Sequence, residues 1–262
     1  MKNVLLYGAG TQSTGLLLMM LDKGQRPDLV IFADTRSEPK FVMDYFWKVT
    51  EYVLKKYGLL IKSVWREKGG GLENDILYNF GERVASLPLF TAGGGMIRRQ
   101  CTNEYKIAPM SKYIKKEFGI GRGKWDSKSE VNRMFGISLD EIERCKVSTY
   151  WWAVNKYPLV DWRMYRHEVI DYINEKHPKL KNPPRSSCYF CPFHSDDYWR
   201  RLKEKHPDEF AKAIEIDEKI RIYPKMNEEC FLHRSRKPLK DVNFSKDSQL
   251  EIFGECEGYC GI

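Results

Sequence analysis

The sequence predicts an α/β fold, a doubly wound, mostly parallel sheet with helices on both faces and a cysteine-containing carboxy-terminal extension. Short apolar runs alternate with longer stretches of helical periodicity up to about Val64. A glycine-rich turn, Gly8-Ala9-Gly10, stands where the first run gives way to the first helical stretch. The 262 residues, 42% of them hydrophobic, suffice for a full core without disulfides.

Residues 4–7 form a short apolar run that ends at glycine, which fits a buried parallel strand better than a helix. Residues 13–21, rich in Leu and Met, suit a crossover helix, and residues 28–33 a second buried strand. Pro39 is placed to open a long helix to about Lys56, because Phe41, Tyr45, Val49, Tyr52 and Val53 recur at helical spacing. Residues 59–64 supply a third strand, and strand, helix, strand, helix, strand is the pattern of a doubly wound sheet. Beyond it the pattern loosens around two runs of three glycines, at 69–71 and 93–95. Helices are expected over 103–117, over 138–144 from a capping box at Ser138, and over 165–175. Ser195 and Pro207 mark the starts of two more. These elements divide the chain into a core, 1–175, and an extension, 176–262, that carries a Cys-x-x-Cys turn, helices and a basic tail.

No run approaches the ~20 apolar residues that cross a bilayer, and Met1-Lys2-Asn3 leads directly into a strand too brief for an export signal. A cytoplasmic location and no membrane partner are expected. The odd count of seven cysteines argues for reduced thiols and against a disulfide scaffold. A formal charge of +8 favours anionic partners without separating a nucleotide from a nucleic acid.

A turn that leaves a buried strand and enters a helix points backbone N–H groups at one spot, where the helix terminus also favours an anion. Gly8 and Gly10 allow close approach, Gln12 lies in the same turn, and Ser13 and Thr14 bring hydroxyls. The order is neither the phosphate loop ending in Gly-Lys-Ser/Thr nor the Gly-x-Gly-x-x-Gly fingerprint. A tight strand-to-helix junction alone also accounts for these glycines. Asp34 and Thr35 end the next strand and face the same crevice in such a sheet, unless Asp34 only caps its own turn.

These segments resemble the adenine nucleotide alpha-hydrolase group, and most closely its branch of phosphoadenosine phosphosulfate reductases and related ATP pyrophosphatases. The group's Ser-Gly-Gly-Lys-Asp-Ser aligns with Gly8-Ala9-Gly10-Thr11-Gln12-Ser13, where Thr11 and Gln12 replace the lysine and aspartate. Phe32-Ala33-Asp34-Thr35-Arg36-Ser37-Glu38 resembles Phe-x-Asp-Thr-Gly-x-Glu, which lies near the nucleoside in that group. Arg98-Arg99-Gln100-Cys101 leading to Lys106 and Pro109 resembles the branch's cysteine element before Lys-x-x-Pro, with Arg98 and Arg99 as anion contacts or a solvated patch. Pro158-Leu159-Val160-Asp161-Trp162 resembles Pro-Leu-x-Asp-Trp, with Arg163 and Arg166 as further anion candidates. The resemblance implies ATP or another adenine nucleotide as ligand, held by Gly8, Gly10, Gln12, Ser13, Thr14, Asp34 and Thr35.

Cys188 and Cys191 can direct two sulfurs at one metal. Many reductases of the branch hold a four-iron cluster with an adjacent cysteine pair and a later Cys-x-x-Cys. Gln100 takes the first place of that pair, which leaves Cys101, Cys188 and Cys191 as ligands of a 4Fe-4S cluster with one open iron. Zinc on these thiols and His194, or no stable metal, are the alternatives. Glu255-Cys256 matches part of the reductases' carboxy-terminal Glu-Cys-Gly-Leu-His segment, which would make Cys256 the attacking thiolate, with an incidental free thiol or a second metal site shared with Cys260 as the alternatives.

The expected function is an adenine-nucleotide-binding, iron-sulfur-dependent sulfur-transfer enzyme or a related oxidoreductase, with Cys256, Arg98 and Arg99 as catalytic candidates. Its substrate would be an anionic sulfur compound or a nucleic acid, tRNA or DNA, with a thiol reductant as a further partner. The competing expectation is a non-enzymatic, zinc-containing nucleic-acid-binding or regulatory protein, which the loss of the family's lysine and aspartate favours.

Overall fold

The computed structural model describes residues 1–78, 87–121, 131–222 and 227–244. Strand β1 (Lys2–Tyr7) leads through Gly8-Ala9-Gly10 into α1 (Thr11–Asp22), followed by β2 (Leu29–Ala33), α2 (Lys40–Tyr57) and β3 (Ile61–Val64). All five were expected, with ends moved by one or two residues. Helix α1 is buried along nearly its whole length because it lies between the sheet and a later helix, so it shows no polar face. Helix α2 instead buries one stripe, Val42, Tyr45, Phe46, Val49 and Val53. It stops at Gly58, whose φ of +62° is left-handed and whose N–H donates to the Leu54 carbonyl at 2.9 Å.

The chain then forms a short α3 (Leu72–Leu77) and a two-residue β4 (Phe90–Thr91). The helix expected over 103–117 begins as a π-helical turn (Thr102–Ile107) and continues as α4 (Ala108–Glu117). Two strands absent from the sequence reading follow, β5 (Val131–Phe135) and β6 (Ala153–Lys156). Their apolar runs are broken by Asn132, Arg133, Asn155 and Lys156, which hides them from a search for buried strands. Where a capping box and helix were expected from Ser138, Ser138 stands at the N-terminus of a 3-10 segment (Leu139–Arg144) kinked at Glu141, and its side chain makes no capping hydrogen bond. The rest comprises α5 (Pro158–Asp161), α6 (Arg166–Lys176), α7 (Asp196–Lys205), α8 (Pro207–Lys219) and β7 (Cys230–Phe231). Ser195 caps α7 as expected, its Oγ accepting the Tyr198 N–H at 3.2 Å.

The sheet order is β3-β2-β1-β5-β6 and every pairing in it is parallel. The chain therefore winds from β1 to one edge and then from β5 to the other, a doubly wound α/β fold with its topological switch point between β1 and β5. Helices α1, α2 and α6 cover one face, while α4 packs Met110 and Ile114 over Val4, Ile31 and Val131 on the other. Gly15 lets α1 and α6 touch, since a Cβ there would stand 2.2 Å from Val169 Cγ1.

A third apolar cluster joins α3, α7 and α8 to the Cys188–Cys191 turn around Trp199 and Phe210. Buried Asp217 organises it by accepting the N–H groups of Leu232 at 2.8 Å and Leu239 at 2.9 Å and pairing with Arg221. Strand β7 of this region pairs antiparallel with β4.

Candidate functional site

The loop after β1 is braced by a single side chain. Ser13 Oγ accepts the N–H groups of Gly8 at 3.1 Å and Gly10 at 3.4 Å and lies 3.3 Å from the Gly10 carbonyl. Ala9 between them takes a φ of +57°, which costs a residue with a Cβ about 1–2 kcal/mol. The loop from β5 presses on it from the other side of the switch point, because a Cβ on Gly136 would stand 2.6 Å from both N and Cα of Ser13. Gln12 Nε2 reaches the Ser138 Oγ at 3.4 Å across the same gap.

This crevice holds a cavity of about 120 Å³ at the carboxyl ends of β1, β2 and β5, between Gly8, Gly10, Gln12 and Ser13 on one side and Phe135, Gly136 and Ile137 on the other. Lys106, Arg144, Arg166 and Arg185 also line it, and no Asp or Glu does so among the described residues. Helix N–H groups, small residues and cationic side chains around a space without carboxylates suit a phosphate-bearing anion. Arg144 pairs with buried Glu141, so its charge is in part balanced within the wall.

Thr14 and Asp34 lie outside this lining. The Thr14 hydroxyl sits behind the loop, 3.1 Å from the Tyr7 hydroxyl. Asp34 closes its own turn, accepting the Arg36 N–H at 2.7 Å and lying 3.3 Å from Arg36 Nε.

Thr35 turns towards the cysteines, its Oγ1 at 3.5 Å from Cys188 Sγ. It lines a second cavity, of about 20 Å³, together with Cys101, Cys188, Cys191, Arg99 and Lys106. The fold thus brings the three cysteines to one space from two distant segments. Cys188 and Cys191 belong to a turn closed by the Cys191 N–H on the Cys188 carbonyl at 3.1 Å, and Cys101 precedes the π-helical turn. Three soft donors with a hydroxyl behind one of them fit a thiolate-bound metal centre in chemistry. The space between them is that of one water-sized site. Among the described residues no three His, Cys, Asp or Glu side chains stand close enough to hold one metal ion.

His194, the fourth ligand of the zinc alternative, is turned elsewhere. Its Nε2 donates to the Cys188 carbonyl at 2.7 Å, its ring stacks on Tyr198 at 3.5 Å, and it is absent from the cavity lining. Burial pushes its pKa down to about 3, so the ring is neutral.

Lys106 lines both cavities. Its Nζ stands 3.9 Å from Oε1 of Glu38, whose other oxygen accepts the Thr35 N–H at 3.1 Å. Burial pushes the Glu38 carboxyl up, against the pull of the Lys106 charge. Of the remaining candidates, Arg99 lines the thiol cavity with its guanidinium 5.9 Å from the Phe193 ring, and Arg98 is exposed and lines neither the switch-point cavity nor the thiol cavity. Cys256 and Cys260 lie outside the described residues.

Sequence reasoning missed Gly136 because it missed β5. It also passed over Arg185 and Ser186, although their place just before Cys188 was a usable signal, and it assigned no part to Glu38 at the end of the segment 32–38.

No family model matches the chain. A curated relative, an uncharacterized protein of Methanocaldococcus jannaschii, is 25% identical over 201 residues, which cover 71% of this chain and 41% of that protein. The chain thus spans about two-fifths of that relative's length. Among solved structures, a phosphoadenylyl-sulfate (PAPS) reductase from Candida auris in a phosphate complex is similar at a TM-score of 0.40, with 16% identity over 67% of this chain and 73% of that one.

Proposed function

We propose that this chain is an enzyme of the phosphoadenosine phosphosulfate reductase-like branch, which binds an adenine nucleotide at the switch point and carries out sulfur transfer or thiol-dependent reduction beside Cys101, Cys188 and Cys191. The supporting observation is that one side chain, Lys106, walls both the anion-suited cavity and the thiol cavity. A phosphate or sulfate held by the first therefore lies one side chain from the sulfurs of the second.

In this reading Gly8, Gly10 and the first turn of α1 receive the phosphates, and Arg166 and Arg185 balance their charge. Phe32 and Ala33 form the wall at the end of β2. Lys106 orients the anionic end of the substrate and offsets the charge of Glu38. Thr35 keeps the Cys188 sulfur in place through its hydroxyl. An iron-sulfur centre bound by the three cysteines would supply electrons or sulfide at that point. Thr11 and Gln12, in place of the family's lysine and aspartate, make binding without ATP cleavage compatible with this role.

The experiment is equilibrium binding of ATP and of phosphoadenosine phosphosulfate to anaerobically purified protein. It is followed by assays for sulfite release with a thiol reductant and for thiolated bases in tRNA or DNA by mass spectrometry. Saturable nucleotide binding with either product supports the proposal. No binding of either nucleotide, together with salt-dependent binding of nucleic acid, would replace it with the zinc-containing nucleic-acid-binding protein.

A further inference from the structure

A second large cavity, of about 250 Å³, lies between α4 and the face of the sheet formed by β1, β5 and β6. Leu6, Met110 and Phe135 are the partition between it and the switch-point cavity, since all three line both. At its wall is Arg133, a charged residue on a central strand and only 6% exposed. Its Nη2 donates to Asn155 Oδ1 at 2.6 Å and Ser148 Oγ at 3.2 Å, and its Nε has no hydrogen-bond partner among the described residues. The rings of Tyr150, Phe135 and Trp152 lie 4.8, 5.7 and 5.7 Å from the guanidinium carbon.

All of these partners are neutral, and no Asp or Glu lines the cavity among the described residues. Burying a cation among neutral groups is costly unless an anion joins it, and burial indeed pulls the Arg133 pKa down. The exposed rim adds a second cation, Lys146, and the polar Asn103 and Thr149. Inside that rim, apart from the Ser111 hydroxyl, the walls contributed by α4 and the turn before it are apolar, Ile107 and Ile114 beside the partition residue Met110.

We propose that this cavity is a separate binding site for a small carboxylate carried on an apolar or aromatic frame, with the carboxylate on Arg133 and the frame against Leu6, Met110 and Phe135. A singly charged carboxylate matches one buried, unpartnered donor, whereas a phosphate needs several more.

Fluorine NMR of para-fluorobenzoate with the full chain tests this, with para-fluorobenzamide as the uncharged control. The benzoate binds saturably and the amide about tenfold more weakly or not at all, as expected when a charge-assisted hydrogen bond is lost. Arg133→Met weakens benzoate binding about tenfold, and so does Lys146→Glu, an exposed change that spares the core. Saturating ATP leaves benzoate binding unchanged, because the partition separates the two cavities. Absence of saturable binding, equal binding of benzoate and amide, full strength in Lys146→Glu, or displacement by ATP would each overturn the proposal.

Discussion

The Lys106 ammonium stands 3.9 Å from the Glu38 carboxylate in the wall between the switch-point cavity and the thiol cavity. Neither group is free to move far, since Glu38 is held by the Thr35 N–H and Lys106 by the π-helical turn that carries it. Extra residues in such turns are frequent at functional sites.

Replacing Lys106 with Met removes the charge that offsets buried Glu38. The variant loses about 1–3 kcal/mol of stability at neutral pH, measured by urea denaturation. Glu38 has a folded pKa above its unfolded one, so its contribution is full below the unfolded value and is lost as pH rises through the folded value. The deficit of Lys106→Met therefore shrinks on acidification, and a deficit independent of pH would separate Lys106 from Glu38.

Gly136→Ala tests the switch point. The added Cβ has no space beside the Ser13 backbone, so the Gly8–Gly10 loop must shift. Affinity for ATP falls at least about tenfold, a change of about 1.4 kcal/mol by calorimetry. Wild-type affinity in a folded variant would place the nucleotide elsewhere.

Arg166→Ala removes a cation from the same cavity and leaves the loop intact. ATP binding weakens by about tenfold at low salt, with a smaller loss at high salt, because screening reduces the contribution of the charge.

A second carboxylate contributes to acid stability. Burial acts to raise the Asp22 carboxyl, but hydrogen bonds from Tyr172, Tyr57 and His177 outweigh it and hold the pKa down to about 2. A depressed carboxylate contributes stability that is present above its unfolded pKa and lost as pH falls through the folded one. Thermal melts of the wild type therefore drop between about pH 4 and pH 2. Asp22→Asn lowers the melting temperature at pH 7 and flattens that drop. His177, whose pKa is pushed below 6.5 chiefly by burial, adds a shallower loss beginning near pH 6.5, because the unfolded state takes up its proton first.

The first half of the sheet was legible because β1, β2 and β3 are flanked by glycine or proline and carry no buried charge. Strand β5 was not, because Arg133 interrupts it, and the residue that hid the strand also lines the cavity of about 250 Å³ beneath α4. The gathering of Cys101, Cys188 and Cys191 followed from a family resemblance, since nothing local in the sequence brings position 101 to the Cys-x-x-Cys turn. Residues Arg144, Arg185 and Gly136 reach the switch-point cavity only through tertiary packing, which no periodicity encodes. Asp34 and Thr35 lie adjacent in sequence, yet one closes its own turn and the other faces the thiols, a divergence that the motif alone does not reveal.

The most direct test is iron, acid-labile sulfide and zinc per chain after strictly anaerobic purification, in the wild type and in Cys101→Ala. The account predicts about four irons and four sulfides in the wild type and their loss in the variant. Stoichiometric zinc without iron, or full iron retention in Cys101→Ala, would contradict it.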